Sequence, residues 1–365
     1  MSPLTISDQF GSRVFGRALE ADTQSNIVMS PFSLDVALGM LSLGADGATA
    51  QLFRDNGIDP RHGSESNDAK LASLSTAGIT LRSSNSAWLR AGLRPCRQFP
   101  DAIRDAYRAS VATLDFSKPD AAEKINAWVN AATQEVIPQV VDRLDPATEF
   151  ALVNTTYFKG KWAEPFDKAD TRAEPFTRID GTKRAVSMMN ARLTVPYADA
   201  GSWHAIAIPY SGDRLQMIVA TSKDPANSAA LKQELVRSRL SEILRQLTME
   251  KRKVALTLPR FKANYGADLT DTVSEAGLKD AFTEQANYRK LTKHTIRRVS
   301  VIHRAVVEVT EEGTEAAAAS AVVGMRSINV TPWTVFAADH PFFFAIVDKP
   351  TGAVIFEGYI ADPES

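Results

Sequence analysis

The stretch GTEAAAASAVVGMRS, Gly313 to Ser327, constrains this chain more than any other. It follows an acidic pair, Glu311-Glu312, consists mostly of small residues, and holds one basic residue, Arg326. Alanine has the best intrinsic helix propensity, so a short helix fits. Alanine and serine, however, give a surface helix little apolar area to bury. Alanine is also depleted in strands. The run lacks the Pro and Lys enrichment of solvated linkers. Composition leaves helix and irregular loop both open. The segment tolerates several environments, and the surrounding fold has to make use of that.

Few function classes suit the rest of the chain. Its 365 residues allow one large domain or two ordinary ones. The formal net charge is −1, with no long block of one sign. Nucleic acid is therefore not expected as a partner, since phosphate binding needs a basic stripe. No apolar run reaches bilayer-spanning length, so no membrane partner is expected either. The first residues, MSPLTISDQFGSRVFGR, lack a basic end followed by an apolar stretch, and no signal peptide is expected. Cys96 is the sole cysteine, which excludes an intramolecular disulfide. The compartment stays open: a reducing interior and a secreted chain without disulfides both fit.

Ile6, Phe10, Val14, Phe15 and Leu19 recur at helical spacing. SPFSLDVALGMLSLGADGATAQLF reads as a helix, a break at Gly44 to Gly47, and another helix. Ser33 is the expected N-cap, with Leu38 and Leu41 facing inward. DAAEKINAWVNAATQEVIPQVVDRL is the clearest helix: Asp120 with Glu123 resembles a capping box, and Ile125, Trp128, Val129, Val136 and Ile137 share a face. Pro138 should kink or end it. Strand patterns then dominate: EFALVNTTYFKGKW, a hairpin across Ser-Gly-Asp in AIAIPYSGDRLQMIVATS, KVALTLPRFKANYG, SVIHRAVVEVTEE, and a terminal hairpin across Lys-Pro-Thr-Gly. DLTDTVSEAGLKDAF reads as a helix. With no repeat and no linker, a single α+β domain is expected.

Catalytic signatures are missing. The chain has no Gly-x-Ser-x-Gly elbow, P-loop, dinucleotide fingerprint or His-Glu-x-x-His. One cysteine cannot build a thiolate zinc site. Histidines at 62, 204, 294, 303 and 340 show no ligand spacing. No enzyme activity, metal or cofactor is expected. His303, inside an apolar strand, reads as a hydrogen-bonded core histidine. Of two N-x-T sequons, at Asn154 and Asn329, the first lies in a core strand pattern and suits no glycan.

Four long motifs, in order, carry a resemblance. VEVTEEGTEAAAASA resembles the hinge of the serpins, the serine protease inhibitor family. NIVMSPFSLDVALGMLSLGADGAT is similar to the family's early helix. FALVNTTYFKGKWAEPF is similar to its central strand, and HPFFFAIVDKPTGAVIFEGYIADP to its terminal hairpin. The resemblance covers nearly the whole chain. It implies one serpin domain over residues 1–365, of α+β class. Three β-sheets, eight or nine helices and an exposed reactive loop at about 311–335 are expected. It also implies a mechanism. A protease cleaves the loop, the hinge half inserts as a new strand into the central sheet, and the attached acyl-enzyme is dragged across the molecule and distorted.

The alternation of side chains along a strand tests that implication. With Glu315 pointing outward, the buried phase is Thr314, Ala316, Ala318, Ser320, Val322 and Gly324. None is charged or bulkier than valine. The outward phase continues with Ala317, Ala319, Ala321 and Val323. No proline interrupts the ladder. The hinge, from Glu311, Glu312 and Gly313 through Ala319, thus resembles inhibitory serpins. The alternative is a non-inhibitory binding or chaperone protein on the same scaffold, whose hinges often carry bulky, charged or proline residues.

Further roles follow from the resemblance alone. Ser30, Ser33, Asn154 and His303 fall where the family builds the hydrogen-bonded shutter that lets central strands part. Trp162, Arg260 and Glu311 fall at the breach, where the loop first enters, and Arg260 is expected to pair with Glu311. Arg326-Ser327 is the expected reactive bond, because a trypsin-like protease needs a basic residue before the cut. Family members mostly place seventeen residues from the hinge glutamate through the residue before the cut, and counting from Glu311 reaches Ser327. Met325 suits a secondary cut by a chymotrypsin-like or elastase-like enzyme. A subtilisin-like or papain-like cysteine protease is a further alternative target. Lys70 and Arg82 are too sparse to argue a glycosaminoglycan cofactor. The expected partner is a trypsin-like serine protease in covalent complex with a monomer.

Overall fold

The computed structural model describes residues 10–22, 24–58, 74–75, 78–237, 250–312 and 332–364. In chain order they form α1 (Phe10–Ala21), β1 (Ile27–Met29), α2 (Pro31–Gly44), α3 (Gly47–Asp55) and β2 (Ile79–Arg90). Next come α4 (Gln98–Tyr107), β3 (Ser110–Leu114), α5 (Ala121–Ala132), β4 (Phe150–Gly160), β5 (Arg172–Thr177) and β6 (Lys183–Asp199). They are followed by β7 (Trp203–Pro209), β8 (Leu215–Ser222), α6 (Ser228–Arg237), β9 (Lys251–Pro259), β10 (Phe261–Asp268) and α7 (Thr270–Val273). The chain closes with β11 (Val299–Val309), β12 (Thr334–Ala337), β13 (Phe342–Asp348) and β14 (Val354–Ile360). The α+β class stands, with seven α-helices among the described residues.

One sheet has the order β10-β11-β4-β2-β3. A second group runs β1-β14-β13-β8-β7, and a third comprises β5, β6, β9 and β12. Hydrogen bonding joins the last two through β6, which pairs β9 along most of its length and β7 at Tyr197–Asp199. A core of β13, β14, β8 and β9 side chains, with Phe158, Phe261 and Val307 from the five-stranded sheet, fills the space between layers. α5 covers that sheet's outer face through Ile125 and Val129, against Val153, Tyr157 and Val306. α1 and α2 cover the core's other end.

β13 and β14 are buried throughout, which accounts for their largely apolar sequences, broken by Asp348 at the end of β13 and Glu357 within β14. α2 is buried nearly all round, and Leu38 and Leu41 are inside as expected. Its cap is Ser30 rather than Ser33: the Ser30 hydroxyl accepts from the Ser33 amide, with Pro31 at the first helical position. Asp120 makes no capping hydrogen bond in α5 and pairs instead with Lys124 at 2.9 Å. That helix ends at Ala132, ahead of Pro138, because Gln134 and Glu135 adopt left-handed backbone. DLTDTVSEAGLKDAF is broken helix, with Gly277 at φ 132. KVALTLPRFKANYG is two strands. β9 pairs β6 as far as Pro259, and β10 pairs β11 from Phe261. Arg260 is thereby the corner residue between two sheets.

Burial sets a pH response in this frame. Glu357 on β14 is buried, accepts from the Ser12 hydroxyl and lies near Asp35. Burial, aided by the Asp35 charge, pushes its pKa up to about 7. A raised folded pKa means stability present below the unfolded value and lost as pH rises through 7. Glu357→Gln should therefore gain about 3 kcal/mol over the parent at pH 8 and nothing at pH 4. Denaturant melts at the two pH values test this, and a gain independent of pH refutes it.

Candidate functional site

β4 and β11 lie side by side and parallel, in register from Phe150–Val299 to Lys159–Glu308. They leave one seam at the middle of the five-stranded sheet. Two constellations sit on it.

The first spans the seam's centre. His303 on β11 is in register with Asn154 on β4, and Asn154 with Asn85 on β2. The His303 Nε2 accepts from the Ser30 amide at 3.2 Å, which places the ring proton on Nδ1. Nδ1 then donates to Asn154 Oδ1 at 2.6 Å. Asn154 Nδ2 donates to Asn85 Oδ1 at 2.6 Å and to Ser33 Oγ at 2.5 Å. Ser33 Oγ also accepts from Thr156 Oγ1 at 2.6 Å and lies 3.0 Å from Ser83 Oγ, to which it donates. Ser30 Oγ donates to the Ile355 carbonyl at 2.7 Å. Ser30, Ser33, Asn154 and His303 are all fully buried. Burial drives the His303 pKa down to about 3, so the ring is neutral, as the tautomer requires. Each hydroxyl and amide finds a partner, which is what a buried polar group needs. The four expected shutter residues are brought together, and the Asn154 sequon is inaccessible.

The second constellation closes the seam's end beyond Glu308. The Trp162 indole donates to the Thr310 carbonyl at 2.9 Å. Its ring stacks on Tyr210, centroids 4.5 Å apart, and meets Phe166 edge-on. Gly160 leaves room for this stack, since a Cβ there would lie 2.7 Å from the Tyr210 ring. Glu311 is 4% exposed and faces Arg260 at 3.5 Å. Arg260 reaches it from the sheet corner, where its amide is held by the Ser187 carbonyl at 2.8 Å. The expected breach residues Trp162, Arg260 and Glu311 do meet. Glu311 is the buried partner of the pair, while about half of the Arg260 side chain is exposed. Glu312 lies outside it, 3.5 Å from Lys168, with both side chains exposed.

Sequence reasoning missed Asn85, Ser83 and Thr156 at the centre, and Thr310 and Tyr210 at the end. Ser83-Ser84-Asn85-Ser86 was the available signal: four polar residues in the middle of a strand. The other expected positions lie outside the described residues: hinge positions Gly313, Thr314, Glu315, Ala316, Ala317, Ala318 and Ala319, reactive positions Met325, Arg326 and Ser327, and Asn329 and Lys70. Among the described residues no group of three or more His, Cys, Asp or Glu is placed to hold a metal. No helix there is long and apolar enough to cross a membrane.

With this geometry in place, comparison adds the following. The family model described as Serpin (serine protease inhibitor) matches residues 5–363. Leukocyte elastase inhibitor of Bos taurus is 32% identical, over 97% of this chain and 98% of its own length. Arabidopsis AtSerpin1, solved in a native stressed conformation, superposes with a TM-score of 0.86 at 25% identity, covering 98% of this chain and 96% of that one. Native protease nexin-1, solved with heparin, superposes with a TM-score of 0.85 at 26% identity, covering 97% of each chain.

Proposed function

The chain belongs to the serpin family, and on that premise we propose that it is a suicide inhibitor of a trypsin-like serine protease, with Arg326-Ser327 as the bond offered. One observation carries the proposal. β11 delivers the chain to its hinge beside a parallel β4–β11 seam, and the hinge that follows has an uncharged, proline-free inward phase.

Topology explains why that combination serves trapping. A strand that follows β11 through a tight turn runs back antiparallel to it. Placed between β11 and β4, it is antiparallel to both, because they are parallel to each other. Insertion thus replaces one slanted parallel ladder with two antiparallel ones. In the covalent step, the protease serine oxygen attacks the Arg326 carbonyl carbon. The peptide bond to Ser327 breaks, the Ser327 nitrogen takes the proton, and Arg326 remains as an ester on the enzyme. Insertion then competes with the water that would hydrolyse this ester. The shutter parts along the hydrogen bond between His303 and Asn154, and the breach anchors the turn through Trp162 and Glu311. The protein acts as a monomer and needs no cofactor for this chemistry.

The bond before Ser327 is favoured over the bond after it by side-chain chemistry. An acidic specificity pocket left unpaired by serine discriminates by orders of magnitude. Mixing with trypsin should give a covalent band on a denaturing gel, and mass spectrometry should find a released fragment beginning at Ser327. Arg326→Ala should abolish the band. A fragment beginning at Ile328 moves the bait to Ser327 and removes the trypsin-like target. Cleavage without any covalent band points to a non-inhibitory protein on this scaffold.

A further inference from the structure

One side chain bridges the seam and belongs to neither constellation above. Glu308 on β11 is in register with Lys159 on β4. Its two carboxylate oxygens take separate partners across the seam: Oε1 accepts from Lys159 Nζ at 2.8 Å, and Oε2 accepts from the Tyr157 hydroxyl at 3.1 Å. The group is partly sheltered, at 24% side-chain exposure against 39% for Lys159. Burial would raise the carboxyl pKa, but the Lys159 and Tyr157 hydrogen bonds outweigh it and hold the group below its ordinary value. Burial and the facing carboxylate push the Tyr157 phenol up to about 12, so it remains a donor. On the other side, Lys262 of β10 stands in register with Glu308 and is exposed.

Parting β4 from β11 would strip Glu308 of Lys159 and Tyr157 while leaving Lys262 beside it. Nothing in the segment from Gly313 to Met325 could replace the lost cation, because that segment contains no Lys, Arg or His. The clasp is therefore available to the closed sheet only. It also sits at the end of the seam nearest the hinge, one residue inside Val309, where β11 ends. An opening that starts at the hinge must release it before reaching His303.

We propose that the clasp of Glu308 on Lys159 and Tyr157 is a positioning brake on sheet opening, which sets the split between trapping and release of a cleaving protease. This rests on the inhibitory reading above. Loosening the brake speeds insertion relative to ester hydrolysis, so it raises the trapped fraction. It also makes the intact protein more open to foreign strands.

The test uses the intact protein and an acetylated synthetic peptide, TEAAAASAVVG, matching Thr314 to Gly324. Incorporation is followed by native mass spectrometry, with no protease present. Glu308→Gln, which keeps the shape, should incorporate the peptide about three- to tenfold faster than the parent. Lys159→Met should do the same, and Tyr157→Phe should give a smaller increase. The double variant Glu308→Gln/Lys159→Met should be no faster than Glu308→Gln alone, since Lys159 acts through that carboxylate. Equal, measurable rates in parent and Glu308→Gln overturn the brake and leave the inhibitory reading standing. Additive effects in the double variant also overturn it. Failure of every variant to take up peptide overturns both readings together.

Discussion

A single nick after Arg326 should raise the melting temperature of this protein by on the order of 10 °C, where a nick in an ordinary loop would lower it. The reason lies in the seam. In the closed sheet, β4 and β11 satisfy each other's ladder edges in parallel register. An inserted strand from Thr314 onward keeps both edges satisfied and pairs its own amides on both sides. Each hydrogen bond moved from water to a ladder contributes about 0.5–1.5 kcal/mol net. Ordering the strand opposes this with about 1–2 kcal/mol per residue of backbone entropy. The exchange of parallel for antiparallel pairing and the burial of the inward methyl groups of Ala316, Ala318 and Val322 tip the sum toward insertion. The intact chain cannot realise that gain while its loop is tethered at both ends. Calorimetry of intact and nicked protein side by side decides it. An equal or lower melting temperature in the nicked sample removes strand insertion from the account.

Thr314→Arg should convert inhibitor into substrate. Glu311, held buried against Arg260, and Thr310, held by Trp162, mark where the hinge begins. Thr314 is the first residue of the inward phase after that anchor. An arginine there would have to enter the sheet interior before any other residue could follow. Burying an unpaired charge costs several kcal/mol, and each ~1.4 kcal/mol slows insertion about tenfold. Ester hydrolysis then outruns trapping by a factor of about a hundred or more. Titration of trypsin should show cleavage at an undiminished rate and a covalent yield close to zero. An unchanged yield would mean that this side chain never enters the sheet.

How much of this was readable beforehand depends on the range of the interaction concerned. The break after α2 at Gly44 to Gly47, the hairpin β7–β8 and the hairpin β13–β14 follow from turn residues and periodicity within a few positions. Even local readings failed where a nearby competitor intervened. Asp120 was taken by Lys124 rather than by the helix amides. Ser33 loses the cap to Ser30 because the helix already starts at Pro31, after extended backbone at Ser30, and the Ser33 hydroxyl bonds Asn154, Thr156 and Ser83 instead. The strand KVALTLPRFKANYG reads as one element only if a slip in its alternation is overlooked: Val254, Leu256 and Leu258 are buried before Pro259 and Phe261 and Ala263 after it, where the chain changes sheets.

The sequence by itself determined the chemistry of the hinge: an alternating run from Thr314 whose inward side is small and uncharged is a property of residue order alone. It also determined, through four long motifs, which family's fold to expect. Only the tertiary structure decided which side chains meet along the β4–β11 seam. His303 meets Asn154 and Ser30, Glu308 meets Lys159, and Arg260 meets Glu311 because β11 pairs β4 in one particular parallel register and a sheet corner falls at Arg260. Parallel neighbours must be joined by long crossovers, so partners across the seam lie far apart in the chain. Shifting that register by one residue would turn every side chain of β11 to the opposite face. The register is set by burial of Val301, Ala305 and Val307 on one face and Ile302 and Val306 on the other, in cores that many distant elements complete together.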